Sequence, residues 1–137
     1  MQSSGFEIFD MLARAQLIGQ AIYIAAKLRI VDYLKDGAKS VEELAERTES
    51  HPDSLYRLLR MLASIGIFAE TPRGGEVQAN QRNKIRFELT SMASPLQSEA
   101  ENSVRNFALL FGLESFKKSI DDLLYKMARI HLNMQMA

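Results

Sequence analysis

Residues 40–68, SVEELAERTESHPDSLYRLLRMLASIGIF, read as two helices joined by a short break, the second of which runs straight into a strand. Ser40 carries a hydroxyl that caps a helix, and Glu43, three residues on, completes a capping box. Val41, Leu44 and Ala45 then share one face. A second start follows at His51 and Pro52, because proline fits the first helical position, where no backbone donor is needed, and Asp53 suits the positive end of the helix dipole. Leu55, Leu58, Leu59 and Leu62 repeat at i, i+3, i+4, i+7 and build one apolar stripe, which Ile65 and Ile67 carry past a stop at Gly66.

Beyond Gly66 the period changes. Ile67, Phe68 and Ala69 lead into a turn cluster of Thr71, Pro72, Gly74 and Gly75, and after a polar stretch Ile85, Phe87 and Leu89 alternate at period two, with Arg86 and Glu88 facing the other way. This predicts a small antiparallel hairpin with a long polar tip from Glu76 to Lys84. A helix-turn-helix followed by such a hairpin is a winged helix. That architecture is used to read DNA or to join two subunits.

The whole chain sets limits on both uses. Its 137 residues amount to about one domain, and 47% hydrophobic with 25% charged residues is ordinary for a water-soluble globule. With 17 basic and 17 acidic residues the net charge is zero, which removes the long-range attraction to phosphate expected of a nucleic-acid binder. The absence of cysteine excludes a disulfide framework, a thiolate metal site and a cysteine nucleophile, and leaves the cytoplasm as the expected compartment. The start, MQSSGFEIFD, carries Glu7 and Asp10 where a signal peptide wants positive charge. No apolar run approaches the roughly 18 residues of a membrane span, so no membrane partner is expected.

Between Arg14 and Lys27 no residue is charged, and Ala15, Leu17, Ile18, Ala21, Ile22, Tyr23, Ile24, Ala25 and Ala26 cover nearly the whole circumference of a predicted helix. Such a helix must be buried on more than one side. A chain this short covers one side itself, so the other is expected to meet a second copy, with Ile8, Phe9, Leu12, Leu17, Ile18 and Ile22 forming the dimer interface. The competing reading makes it the core helix of a monomer, covered by C-terminal helices. Glu101 to Phe111 places Val104, Phe107, Ala108 and Phe111 on one face. Beyond Gly112, Phe116, Ile120, Leu123, Met127, Ile130 and Met134 form a heptad-like seam, with Lys117, Lys118, Asp121, Asp122, Lys126 and Arg129 opposite.

Catalytic constellations are lacking. His51 stands beside a helix-starting proline and His131 near the end, and an isolated histidine lacks the orienting partner that base or metal work needs. Asp121 and Asp122 are adjacent on a helix and diverge, Glu42 and Glu43 are capping and surface residues, and Gly74 and Gly75 sit in a hairpin turn and not before a helix. No catalytic, cofactor-binding or metal-ligating residue is therefore assigned. The DNA-binding alternative rests on Arg57 and Arg60 of the second helix and on Arg73, Arg82, Lys84 and Arg86 of the wing. Against it stand Asp53, Glu70, Glu76, Glu88 and the zero net charge. A further alternative is a stand-alone scaffold that pairs with a longer protein or holds an apolar ligand between Met11, Phe107, Phe111 and their neighbours.

Taken in order, AAKLRIVDYLKDG (25–37), LAERTESHPDSLYRLLRMLASIGIF (44–68), Leu89 and Thr90 at the end of the wing, and SVRNFALLFG (103–112) resemble the N-terminal dimerisation domain of AdoMet-dependent small-molecule O-methyltransferases. The resemblance covers about Phe6 to Tyr125, with Pro52, Asp53, Leu55, Arg57, Leu58, Leu59, Arg60 and Leu62 in the core motif. It implies an intertwined homodimer with exchanged first helices, closing the partner's active site over a phenolic or other hydroxylated substrate, with Met11, Phe107 and Phe111 on the substrate side. In that family a following Rossmann-like domain carries a Gly-rich loop for AdoMet and a histidine base. None of the seven glycines of this chain has the G-x-G spacing, and no strand-helix alternation follows Gly112. The expectation is thus a mainly α chain: entry helices at 1–36, helix-turn-helix at 40–66, wing at 67–90 and C-terminal helices at 101–134, all in one dimerisation domain. Lacking the AdoMet domain, it is expected to be inert by itself, either a truncated or frameshifted piece of a longer methyltransferase or a stand-alone relative.

Overall fold

The computed structural model describes residues 4–72 and 79–136, by backbone alone at 4, 79, 80, 82 and 130–136. Six helices and a small sheet follow one another: α1 (Ser4–Lys27), α2 (Ile30–Leu34), β1 (Lys39–Ser40), α3 (Val41–Thr48), α4 (Pro52–Ser64), β2 (Phe68–Thr71), β3 (Arg86–Leu89), α5 (Arg105–Gly112) and α6 (Glu114–Met136). Short 3-10 turns at Ala79–Lys84 and Ser94–Leu96 lie between.

The helix-turn-helix forms as its local chemistry dictates. Ser40 Oγ accepts from Glu43 N at 3.2 Å while Ser40 N donates to Glu43 Oε2 at 2.7 Å, so two orphan donors at the start of α3 are satisfied reciprocally. α4 opens on Pro52 with His51 as its N-cap and buries Leu55, Leu59 and Leu62, with Leu58 half-buried at the edge of the stripe. Gly66, at φ 87°, turns the chain out of α4 into β2, a left-handed conformation that costs glycine little.

The sheet is larger than the predicted hairpin. β2 and β3 pair antiparallel, Phe68 opposite Leu89 and Thr71 opposite Arg86, and Lys39 and Ser40 add a third antiparallel strand on the other side of β3. A two-residue strand carries no periodicity, so only the fold exposes it. Ile85 and Phe87 point into the core and Arg86 and Glu88 outward, as alternation requires. Part of the predicted polar tip, including Gly74, Gly75 and Glu76, lies outside the described residues.

The core gathers Ile30, Val31 and Leu34 of α2, the α3 and α4 stripes, Phe68 and Phe87 of the sheet, and Ala21 and Ala25 of α1. The C-terminal helices differ from expectation. Residues 101–104 are not helical, and α5 begins at Arg105. Its packed side carries Ala108, with Leu109 and Gly112 half-buried, while Val104, Phe107 and Phe111 remain exposed. The α6 seam is likewise uncovered at Ile120, Leu123 and Met127, while half-buried Phe116 packs edge-to-face with the Phe111 ring, centroids 5.2 Å apart.

Candidate functional site

α1 is the element whose two halves have different fates. One face of its C-terminal half is buried by its own chain, where Ala21, Ala25 and Ala26 present almost no side chain and let neighbouring backbones come close, while Ile24 stays exposed. α5 takes advantage of this: a Cβ placed on Gly112 would overlap the Tyr23 ring, so glycine is what allows the end of α5 to lie against α1. Arg105 Nε donates at 3.2 Å to Ala26 O, which also accepts from Arg29 N, and so ties the start of α5 to the end of α1. The N-terminal half has no such cover. Phe9 is 69% exposed, Met11 70% and Leu12 63%, with Phe6, Ile8 and Leu17 close behind.

Among the residues predicted for a dimer interface, Ile8, Phe9, Leu12 and Leu17 are thus exposed, Ile18 is half-buried, and Ile22 is partly used by packing on the core of its own chain. Of the predicted substrate-side residues, Phe111 borders a groove of about 410 Å³ where α1, α5 and α6 converge; Met11 and Phe107 are exposed but do not line it. Ala15 and Gly19 of α1 line it together with Phe116, Lys117, Ile120 and Asp121 of α6. The sequence reading missed this groove, because it needs three helices to meet.

The basic residues of the DNA-binding alternative are partly engaged. Arg60 Nε lies 3.4 Å from Glu70 Oε2, whose side chain is only 9% exposed. The Tyr56 hydroxyl, which accepts from Arg60, and then the Glu70 charge hold the guanidinium above its ordinary pKa. Arg86 pairs with Glu43 at 3.1 Å. Arg57 and Lys84 are exposed, Arg73 lies outside the described residues, and Arg82 is described by its backbone only. His51 is exposed without a side-chain capping bond, and the His131 side chain is outside the description.

Other polar contacts fix the frame of the site. Asp32 accepts from Ser98 N at 2.9 Å and from the Ser98 hydroxyl, tying α2 to the segment before α5. Burial raises the Asp32 pKa, but the Ser98 hydrogen bonds and the charges of Arg29 and Arg105 outweigh it, so the carboxyl is held below its usual value. Thr90 Oγ1 lies 2.6 Å from Gly66 O and 2.9 Å from Ile67 O, closing the wing onto the end of α4. Among the described residues no cluster of His, Asp and Glu is able to hold a metal ion, and no helix is long and apolar enough to cross a membrane. Gly66 leads from a helix into a strand, Gly112 is closed by Tyr23, and the direct step from β1 into α3 carries a capping serine.

Comparison with known proteins agrees with this architecture. Residues 10–98 match the family model of the O-methyltransferase dimerisation domain. The chain is similar to the phenazine O-methyltransferase PhzM of Lysobacter antibioticus, at 37% identity over 104 residues, which are 76% of this chain and 27% of that protein. It is also similar to the aclacinomycin 10-hydroxylase RdmB of Streptomyces purpurascens, at 41% identity over 66 residues, 48% of this chain and 17% of that one. The crystal structure of the N,N-8-amino-8-demethyl-D-riboflavin dimethyltransferase RosA from Streptomyces davawensis superposes with a TM-score of 0.72 at 25% identity, over 93% of this chain and 34% of that one. The chain therefore spans about a quarter or less of the length of these two sequence relatives. By the extent of the family match and the shared helix-turn-helix, wing and flanking helices, this chain belongs to the O-methyltransferase dimerisation domain family.

Proposed function

We propose that this chain joins two copies of itself through the N-terminal half of α1, as the dimerising part of an AdoMet-dependent methyltransferase whose catalytic residues lie outside these 137 residues. One observation carries the reading: six large apolar side chains from Phe6 to Leu17 are more than half exposed on a helix that buries Ala21, Ala25 and Ala26 nearer its C-terminal end. A patch of that kind on a water-soluble chain is the mark of an interface. The interleaved arrangement with exchanged first helices, and homodimerisation of this chain itself, belong to this proposal. So does a place for Met11, Phe107 and Phe111 beside a small hydroxylated acceptor in the assembled enzyme, with AdoMet held by the other domain. By itself the chain binds no AdoMet and transfers no methyl group. The engagement of Arg60 and Arg86 in ion pairs supports dimerisation over DNA reading, since each would have to exchange its carboxylate for a phosphate. Sedimentation of the chain at tens of micromolar tests the proposal. A dimer that Leu12→Asp converts to a folded monomer is expected, and a monomeric parent overturns it.

A further inference from the structure

Aspartate is followed by glycine once in the sequence, at Asp36 and Gly37, and asparagine never is. The side-chain carboxyl of an aspartate and the amide nitrogen of the next residue are spaced to close a cyclic imide, and the side chain of that next residue ordinarily hinders the approach. Glycine has none. Asp36 and Gly37 occupy the turn between α2, which ends at Leu34, and β1, which starts at Lys39, and both are exposed. Gly37 has φ 138°, a backbone conformation that residues with a Cβ rarely adopt, and a Cβ built on it would meet nothing within 4 Å. There is open space beside the bond that would have to rearrange.

One hydrogen bond holds the nitrogen in place: Gly37 N donates to Leu34 O at 3.2 Å, at the end of a helix of five residues. The last turn of so short a helix opens readily and frees the nitrogen. Other aspartates are better guarded. Asp10 lies inside α1 and Asp121 and Asp122 inside α6, so the amide that follows each belongs to a helical ladder, and the residue carrying it has a side chain.

We propose that Asp36 and Gly37 form a site of spontaneous backbone modification, at which the aspartate rearranges to isoaspartate. The Gly37 nitrogen attacks Asp36 Cγ; the N–Cγ bond forms, and the carboxyl hydroxyl leaves as water with the amide hydrogen. Water then reopens the imide. Where it cleaves the bond between Gly37 N and the Asp36 backbone carbonyl carbon, the chain runs on through Cβ and Cγ, and the freed carboxylate stands on Cα. One water leaves and one enters, nothing is oxidised or reduced, and the main chain gains one carbon. Both flanks of the turn are anchored, since Leu34 is buried in the core and Ser40 is buried, pairs opposite Arg86 and donates its N–H to Glu43 Oε2. A longer backbone between them shifts Lys39 and Ser40 against Phe87 and Arg86 and loosens the cap of α3. This chemistry needs no second subunit, so it stands apart from the proposed dimer.

Peptide mapping of the full 137-residue chain, kept folded at neutral pH for weeks, tests the site. Electron-transfer fragmentation tells the two isomers of equal mass apart, and the imide is read as the loss of one water. Conversion at Asp36 is expected to be at least about tenfold faster than at Asp10, Asp121 and Asp122, where ring closure waits on helix opening. Asp36→Glu, whose ring would be one atom larger, is expected to stop it without changing the circular dichroism of the fold. The isomerised fraction, separated by ion exchange, is expected to unfold at a lower temperature and to exchange its amides faster at Lys39 and Phe87, which pair across β1 and β3. A folded chain that converts at Asp36 no faster than at the helical aspartates, while the denatured chain does convert, means that the bond to Leu34 protects the turn and overturns the proposal. Conversion in neither state overturns it as well. An isomerised fraction as stable as the parent overturns the effect on β1 while the modification site stands.

Discussion

Glu43 Oε2 lies 2.7 Å from Ser40 N and 3.1 Å from Arg86 Nη1, so one carboxylate oxygen both caps α3 and holds the wing strand β3. The hydrogen bond from the Ser40 backbone, followed by the Ser40 side chain and Arg86, keeps the Glu43 carboxyl below its usual pKa despite some burial. Since the Arg86 and Glu43 side chains are both about half exposed, the ion pair is screened and adds less than about 1 kcal/mol; the cap is the larger effect.

Asp32 and Glu43 both have folded-state pKa values below their unfolded ones. Their stabilisation is fully present above the ordinary carboxylate pKa values, about 3.9 for Asp and about 4.3 for Glu, and is lost as pH falls through the depressed folded values. Thermal unfolding should be insensitive to these groups between about pH 6 and 8, with the midpoint falling below about pH 4. Asp32→Asn together with Glu43→Gln should lower the midpoint at neutral pH and flatten the acid limb. An acid limb as steep in the double variant as in the parent would assign the acid sensitivity to other groups.

Gly112→Ala should destabilise the chain by about 1–3 kcal/mol through overpacking, although alanine in a helix is ordinarily preferred over glycine by about 1 kcal/mol. The Tyr23 ring, part of the α1 surface on which α5 rests, decides the sign. A calorimetric midpoint several degrees lower is expected, partly restored by adding Tyr23→Leu. A midpoint that rises would mean the ring moves aside freely.

Leu59 and Leu123 separate core from surface. Leu59 is fully buried, and Leu59→Ala should cost about 2–5 kcal/mol. Leu123 is 54% exposed on a seam that looks equally apolar in sequence, and Leu123→Ala should change stability by less than about 0.5 kcal/mol. Chemical denaturation of both variants checks this pair, and a large cost at Leu123 would show the seam to be covered in solution.

Thr90→Val removes the hydroxyl that reaches Gly66 O and Ile67 O while keeping its shape. The expected loss is about 1 kcal/mol, because one donor serves one bond at a time and the carbonyls gain access to water. Faster amide exchange at Phe68 and Leu89, which pair across β2 and β3, should accompany it. Unchanged exchange there would mean that the wing is held by the sheet alone.

The helix-turn-helix was legible because each of its signals is local: a capping serine with glutamate at the third position, a proline at a helix start, leucines at helical spacing and a glycine stop. The wing strand was legible for the same reason, in the alternation of Ile85, Phe87 and Leu89. Periodicity marks which side chains share a face but not what that face meets. The stripe of α4 and the seam of α6 look alike in sequence, yet one forms the core and the other is exposed at Ile120, Leu123 and Met127. In α5, Ala108 of the face expected to pack does so while Val104, Phe107 and Phe111 stay exposed, because close approach at Ala108 and Gly112 won over the bulk of Phe107 and Phe111. The sequence by itself determined the helices, the wing and the excess of apolar surface on α1, all of which depend on neighbours within a few residues. Only the tertiary structure decided the third strand at Lys39, the Asp32–Ser98 and Thr90 ties, and the groove where three helices meet, since each brings together residues far apart in the chain.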